Sequence, residues 1–195
     1  MTSPLNLLVI VGSVRDTRFA PTAAAWFAEQ ARHHPDFAVE VLDLLDYPLP
    51  LVLPAPGQDP DPGTTRVRDA LGARLAAADA FVVVTPEYNH APPAVLKNAI
   101  DWFNTEWNAK PVGFVSYGGA GAGLRAVEHL RHVFAELHAM TVRESLSFTN
   151  VWNVFQDGAP RDGEDSALAA KVMLDRLSWW GETLRSARAE RPYQR

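Results

Sequence analysis

Cysteine is absent from the 195-residue sequence. The chain therefore has no disulfide, no thiolate nucleophile and no zinc site built from cysteine. No H-E-x-x-H pattern, histidine cluster or acidic pair suggests a metal site, and no G-x-S-x-G motif marks an acyl-transfer serine. These absences argue against a metal centre and against covalent hydrolysis by serine or cysteine.

An excess of basic charge and a long apolar run are missing as well. The chain has 23 acidic and 18 basic side chains, for a net charge of −5, whereas a general nucleic-acid binder presents a basic face. No apolar run approaches the roughly 20 residues of a membrane span. Residues 1–4 lack the charged region and cleavage site of a signal peptide. We expect a cytoplasmic protein with no nucleic-acid or membrane partner.

Strand-like and helix-like segments alternate along the chain. Strands are predicted at Leu5–Val11, Phe37–Asp43, Ala80–Val84, Pro111–Ser116 and Val142–Phe148. Helices are predicted from Pro21, from about Thr65, at Ala94–Phe103, through Val127–Leu137 and at Glu164–Ala187. This alternation predicts an α/β fold with a flavodoxin-like, doubly wound parallel sheet in the order 2-1-3-4-5 and helices on both faces.

A single domain is expected over residues 1–190, with residues 191–195 as a frayed, charged tail. Two longer connections are expected to be loops. Residues 44–63 are rich in proline and aspartate but contain recurring apolar side chains, which indicates an ordered surface loop. Residues 149–163 form a second, polar loop.

Three unusual loops follow the first, third and fourth predicted strands. We name them loop 1 (residues 12–18), loop 2 (residues 86–93) and loop 3 (residues 117–123). In a sheet of order 2-1-3-4-5 the carboxyl ends of these strands are neighbours, next to the point where the strand order reverses. We therefore expect the three loops to converge on one crevice.

Loop 1 has the sequence G-S-V-R-D-T-R and joins a strand to the start of a helix. Backbone N–H groups and the helix dipole favour an anion at such a turn. Ser13 and Thr17 can donate through their hydroxyls, and Arg15 and Arg18 can bind phosphate oxygens. The loop matches neither a Walker motif nor a Rossmann fingerprint. The alternative is a polar turn with two solvated arginines.

Loop 2 contains three prolines among eight residues, which predicts a stiff, open loop rather than a compact turn. After Pro86 come a ring that could stack on a ligand, Tyr88, and a side-chain amide, Asn89. Glu87 is either a general acid–base group or a solvated carboxylate, and we favour the latter. His90 is either catalytic or incidental, and no neighbouring nucleophile supports catalysis. The loop suits a flat ligand.

Loop 3 has the sequence Y-G-G-A-G-A-G, but leucine at position 124 breaks the spacing of a dinucleotide fingerprint. The glycines Gly118 and Gly119 could let backbone amides approach a flat or anionic ligand, or the loop is only a flexible turn. Ser116 and Tyr117 could bond a ring edge or simply close the strand end. Together, the three loops suit a mononucleotide with a planar heterocycle, a cofactor that would carry the chemistry itself.

Several motifs resemble the NADPH-dependent FMN reductase family, which includes flavin, quinone, azo-dye and chromate reductases. They are G-S-V-R at residues 12–15, P-E-Y-N at 86–89, L-K-N-A-I-D-W at 96–102, W-N-A-K-P at 107–111 and S-Y-G-G at 116–119. The resemblance covers nearly the whole chain. Many members have serine and asparagine where this chain has Arg18 and Ala20.

The resemblance implies that FMN is the cofactor and NADPH or NADH the co-substrate. It implies a phosphate contact by Ser13, Arg15 and Arg18. The isoalloxazine would lie against Pro86, Glu87, Tyr88 and Asn89, with Ser116, Tyr117, Gly118 and Gly119 at its other edge. No side chain is expected to be catalytic, because flavin N5 accepts the hydride.

The predicted function is hydride transfer from reduced nicotinamide through FMN to a small acceptor such as a flavin or quinone. Two alternatives remain: an electron-carrier flavoprotein without its own nicotinamide reaction, and a non-catalytic flavin-binding sensor. Family members are commonly dimers or tetramers. We therefore expect a homodimer or homotetramer, with the aromatic-rich segment Leu96–Trp107 at the interface.

Overall fold

The structure, a computed structural model, describes residues 3–194. Its centre is a parallel sheet in the order β2-β1-β3-β4-β5. The strands are β1 (Leu5–Val11), β2 (Phe37–Asp43), β3 (Ala80–Pro86), β4 (Pro111–Tyr117) and β5 (Met140–Phe148). The predicted flavodoxin-like order is confirmed, and β1 and β2 have the predicted bounds. The other strands extend the predicted segments by one or two residues.

The helices are α1 (Ala20–Arg32), α2 (Pro62–Ala77), α3 (Ala94–Asp101), α4 (Leu124–Glu136), α5 (Val151–Val154) and α6 (Gly163–Glu190). Helix α2 begins at Pro62 rather than near Thr65, because Asp61 caps it. The Asp61 carboxylate accepts from the amides of Gly63 and Thr64 at 2.8 and 3.1 Å. Hydrogen bonds from the Thr64 hydroxyl and these amides lower the pKa of Asp61.

Both faces of the sheet are covered, so β3 and β4 are buried along their whole length. One core lies between the sheet and helices α1 and α6, and a second lies under α2, α3 and α4. This burial explains why the central strands have nearly continuous apolar sequences. In the described part of the chain, no helix has the length and apolar character needed to cross a membrane.

Residues 149–163 contain more structure than the predicted polar loop. They form α5 and a short hairpin, β6 (Phe155–Gln156) and β7 (Ala159–Pro160). The hairpin is held by an aromatic side chain that the sequence pattern did not single out. The ring of Phe155 packs edge-to-face against Phe19 and Phe148, with centroid distances of 4.8 and 4.9 Å.

The connection between β2 and α2 is an ordered surface loop, as predicted. Its first residues form a 3₁₀ turn, Leu44–Asp46, and its middle is bound to α3. Asn98 donates to the carbonyl of Leu49 at 3.0 Å, and Trp102 donates through its indole to the carbonyl of Pro50 at 3.0 Å. Beyond these bonds, Leu51 and Val52 are 76% and 81% exposed.

Two of the three aromatic residues in the segment Leu96–Trp107 are buried within the chain. Phe103 and Trp107 are buried in the chain's own core beside Leu96 and Ile100. Only Trp102 is partly exposed. The aromatic content that suggested a subunit contact is therefore explained by packing within the chain.

Candidate functional site

The carboxyl ends of β1, β3 and β4 open into a cavity of about 330 Å³. Loops 1, 2 and 3 all contribute to its walls, so the predicted convergence is observed. The lining residues are Arg15, Asp16, Thr17, Arg18, Phe19, Pro86, Glu87, Tyr88, Tyr117, Gly118, Gly119, Val151 and Trp152. The volume lies within the range of small-molecule sites.

Loop 1 offers unused backbone donors. Gly12 closes the strand end by donating to the carbonyl of Val84 at 2.9 Å, and a Cβ on Gly12 would lie 3.0 Å from that oxygen. Within the described chain, the amides of residues 13–17 donate to no other backbone group. Arg15 lines the cavity and is exposed. Consecutive free amides next to a cation form an anion site.

Arg18 also lines the cavity, but its guanidinium is bound to protein. It donates to both carboxylate oxygens of Asp43 at 2.7 and 2.6 Å, and it also contacts the carbonyl of Ser13. This bidentate pair joins loop 1 to the end of β2. The structure thus gives Arg18 an anchoring contact to β2, while its place in the cavity wall leaves the predicted phosphate contact a prediction.

Ser13 lies beneath the cavity rather than in its wall. Its side chain is fully buried, and its hydroxyl shares a 2.8 Å hydrogen bond with the phenol of Tyr88. Tyr117 is buried beside this pair, and desolvation raises the pKa of its phenol. Tyr117 therefore remains a neutral hydroxyl at physiological pH. The bond from Ser13 fixes the orientation of the Tyr88 ring.

Loop 2 is a compact turn, which corrects the predicted open loop. The amide of Tyr88 donates to the carbonyl of Ala91 at 2.9 Å, and the amide of Ala91 donates back at 3.1 Å. Asn89 and His90 have φ values of 51° and 71°, as the central residues of a type I′ hairpin turn require. The three prolines flank this turn. Asn89 lies at its tip and does not line the cavity.

An ion pair connects loop 2 to the start of α4. The Glu87 carboxylate lies 2.6 Å from Nη2 of Arg125 and accepts from the Arg125 amide at 3.2 Å. The other terminal nitrogen of Arg125 lies 2.7 Å from Nε2 of His90. Glu87 is therefore a paired and largely buried carboxylate, not the solvated one that the sequence favoured. The Arg125 side chain passes over Gly121, where a Cβ would clash with it.

Loop 3 places Gly118 and Gly119 in the cavity wall, as predicted, but not Ser116. The Ser116 side chain is fully buried, donates to the carbonyl of Ala122 at 2.8 Å and shares a 2.9 Å hydrogen bond with Ser147. It therefore holds loop 3 closed from inside. Gly123, with a φ of 78°, permits this close approach.

Sequence reasoning missed the part of the wall that follows β5. Val151 and Trp152 on α5 line the cavity, together with Asp16 and Phe19 from the first loop region. The available signal was a tryptophan within a polar loop, because tryptophan is enriched where a surface meets a partner. Thr17, which the sequence predicts to be a hydroxyl donor, also lines the cavity.

Comparison with known proteins gives the family. Residues 5–153 match the family model for NADPH-dependent FMN reductase. The chain belongs to the NADPH-dependent FMN reductase family. The resemblance carried by the P-E-Y-N and L-K-N-A-I-D-W motifs is thereby confirmed.

Individual relatives agree. The chain is 45% identical over 132 residues to an NAD(P)H-dependent FMN reductase of Schizosaccharomyces pombe. The match covers 66% of this chain and 64% of the yeast protein, so the chain spans slightly less than two thirds of that protein's length. It is 34% identical over 147 residues to a 2-hydroxy-1,4-benzoquinone reductase of Burkholderia sp, covering 72% of this chain and 75% of the other.

A solved structure supports the fold. The flavoenzyme NAD(P)H:(acceptor) oxidoreductase FerB of Paracoccus denitrificans aligns with a TM-score of 0.70 at 21% identity, over 92% of this chain and 98% of that one. The flavodoxin-like architecture is therefore shared with a flavoenzyme.

The residues present fit FMN, the cofactor in the family's name. The free amides of residues 13–17 and Arg15 provide an anion site. The glycine wall at Gly118 and Gly119 and the fixed ring of Tyr88 bound the same cavity. Backbone amides and a cation that would hold a phosphate, next to a partly aromatic cavity, are the groups that a flavin mononucleotide needs.

Proposed function

We propose that this protein is an NAD(P)H-dependent FMN oxidoreductase that reduces a small acceptor such as a flavin or quinone. The observation that carries the proposal is the cavity at the carboxyl ends of β1, β3 and β4, which is lined by loops 1, 2 and 3 and lies next to the free amides of loop 1. Family membership supports the same chemistry.

FMN, when bound, would accept hydride from reduced nicotinamide and pass electrons to the acceptor. The chain's own residues would bind and orient it. In this proposal the phosphate lies on the amides of residues 13–17 and on Arg15. Arg18 holds loop 1 in place through Asp43. Ser13 fixes Tyr88, and the Glu87–Arg125 pair fixes the turn of loop 2 relative to loop 3.

We also propose a cytoplasmic homo-oligomer, as expected from the family resemblance. The exposed apolar side chains Leu51 and Val52, next to α3, are the candidate contact with a second copy. Replacing both by aspartate should shift the sedimentation coefficient towards that of a monomer. An unchanged coefficient would place the contact elsewhere.

Reconstitution with FMN tests the function. The purified protein should retain a yellow flavin after excess FMN is removed, and it should then oxidise NADPH or NADH continuously when a quinone is supplied. Flavin retention without nicotinamide oxidation would favour the electron-carrier alternative. A protein that stays colourless would contradict the whole proposal.

A further inference from the structure

Trp152 is an exposed indole at the rim of the cavity. Its side chain is 73% exposed, yet it is one of the residues that line the cavity wall. An indole in water forgoes a large hydrophobic stabilisation, which is recovered when an apolar partner covers it. This exposure at the cavity rim therefore indicates a surface that a ligand covers.

The indole is mounted on a fixed support. The amides of Asn150 and Val151 donate to the carbonyls of Gly119 and Gly118, both at 3.1 Å. Val151 is 1% exposed, so its side chain anchors α5 in the core. The following hairpin is fastened by the amide of Arg161, which donates to the carbonyl of Val154 at 2.8 Å. A ligand that contacts this indole thus meets a preorganised surface.

Next to Gly119, one edge of the indole faces open space. A Cβ on Gly119 would lie 4.0 Å from Cζ3 of Trp152, and no other heavy atom lies within 4 Å of it. Glycine at this position therefore leaves a gap along the edge of the indole. The gap belongs to the same cavity as Tyr88.

We propose that Trp152 binds the electron acceptor by stacking on a planar, electron-poor ring of the quinone class. The inference rests on the proposed function and adds a residue that selects the acceptor. An indole is the most electron-rich side-chain ring and prefers flat, electron-poor partners, whereas an octahedral complex ion such as ferricyanide offers no face to stack on. The acceptor range is thus set partly by α5, outside the three predicted loops.

Trp152→Ala and Trp152→Phe test the proposal, with Trp179→Ala as the control. Trp179 is also an exposed tryptophan, at 60%, but it lies on α6 and does not line the cavity. In steady-state assays with NADPH, Trp152→Ala should raise the KM for a 1,4-naphthoquinone about tenfold. The rise in the KM for ferricyanide should be clearly smaller, Trp179→Ala should leave both KM values within about twofold of wild type, and Trp152→Phe should restore most of the quinone affinity.

A binding measurement gives a second readout. In the oxidised protein, quenching of tryptophan fluorescence by the naphthoquinone should weaken in Trp152→Ala and persist in Trp179→Ala. An unchanged quinone KM, or an equal loss with ferricyanide and quinone, would overturn the role of Trp152 while leaving the oxidoreductase intact. Absence of NADPH oxidation by the wild-type protein with ferricyanide would instead overturn the proposed function and this inference with it.

Discussion

Two arginines of loop 1 have different surroundings, although the sequence presents them as equivalent. Arg15 faces the cavity and has no ion pair among residues 3–194, whereas the Arg18 side chain is 13% exposed and pairs with Asp43. The difference follows from the parallel β1–β2 register, in which Val11 is opposite Asp43. A partner 25 residues away on another strand cannot be assigned from the loop sequence.

Arg15→Met should weaken FMN binding without lowering stability. Loss of one charge-assisted contact to a phosphate corresponds to roughly a tenfold to hundredfold rise in Kd, which a flavin-fluorescence titration measures. Arg161→Met, a change at an exposed position outside the cavity, is the control and should leave Kd unchanged. An Arg15→Met protein with wild-type affinity would remove Arg15 from the phosphate site.

Arg18→Met should act mainly on folding. It leaves the half-buried Asp43 carboxylate without its bidentate partner, so the free energy of unfolding should fall by about 2 kcal/mol. Urea denaturation of the FMN-free protein measures this loss. A stable Arg18→Met variant that has lost FMN affinity would instead support the phosphate role that the sequence predicts.

At the scale of elements, apolar patterning predicts the sheet well and the loops poorly. Strands β1 and β2 have the predicted bounds because a continuous apolar run marks β1 and an alternating pattern marks the outer strand β2. Loop 2 was predicted from its prolines, but its shape depends on the positive φ values of Asn89 and His90 and on the contact with Arg125. Helix α5 was missed because four residues are too few for a periodic signal.

The Glu87–Arg125 pair should couple loops 2 and 3 energetically. Arg125 is 47% exposed and Glu87 only 9% exposed, so solvent screens the pair in part. A double-mutant cycle with Glu87→Gln and Arg125→Met should give a coupling of about 1 kcal/mol in urea unfolding. A coupling near zero would show that the two loops are held together by other contacts.

At the scale of the whole molecule, the strand order decides where the site lies. The order 2-1-3-4-5 brings three loops together that are far apart in sequence, and that convergence was predictable from topology. The other end of the sheet, where β4 begins, carries the buried Lys110. Its amine donates to the carbonyls of Leu75 and Ala76 at 2.8 and 2.9 Å and caps the end of α2.

Lys110 should make stability depend on pH. Burial is the main cause and the nearby charge of Arg188 is the second: together they lower the pKa of Lys110 from 10.5 to about 8. Between these values the unfolded chain holds a proton that the folded chain has released, so the contribution of Lys110 to stability rises with pH. The unfolding free energy of wild type minus that of Lys110→Met should therefore increase by about 2 kcal/mol from pH 7.5 to 10. A flat or falling difference would contradict the lowered pKa.

The central claim is that the three-loop cavity holds an FMN that reduced nicotinamide can reach. Anaerobic mixing of the FMN-loaded protein with NADPH, followed by a quinone, tests it most directly. The account predicts that NADPH bleaches the yellow absorbance of the bound flavin and that the quinone restores it. The Arg15→Met variant should need a higher FMN concentration to give the same change in flavin absorbance. A bound flavin that keeps its colour under NADPH and NADH alike would contradict the account.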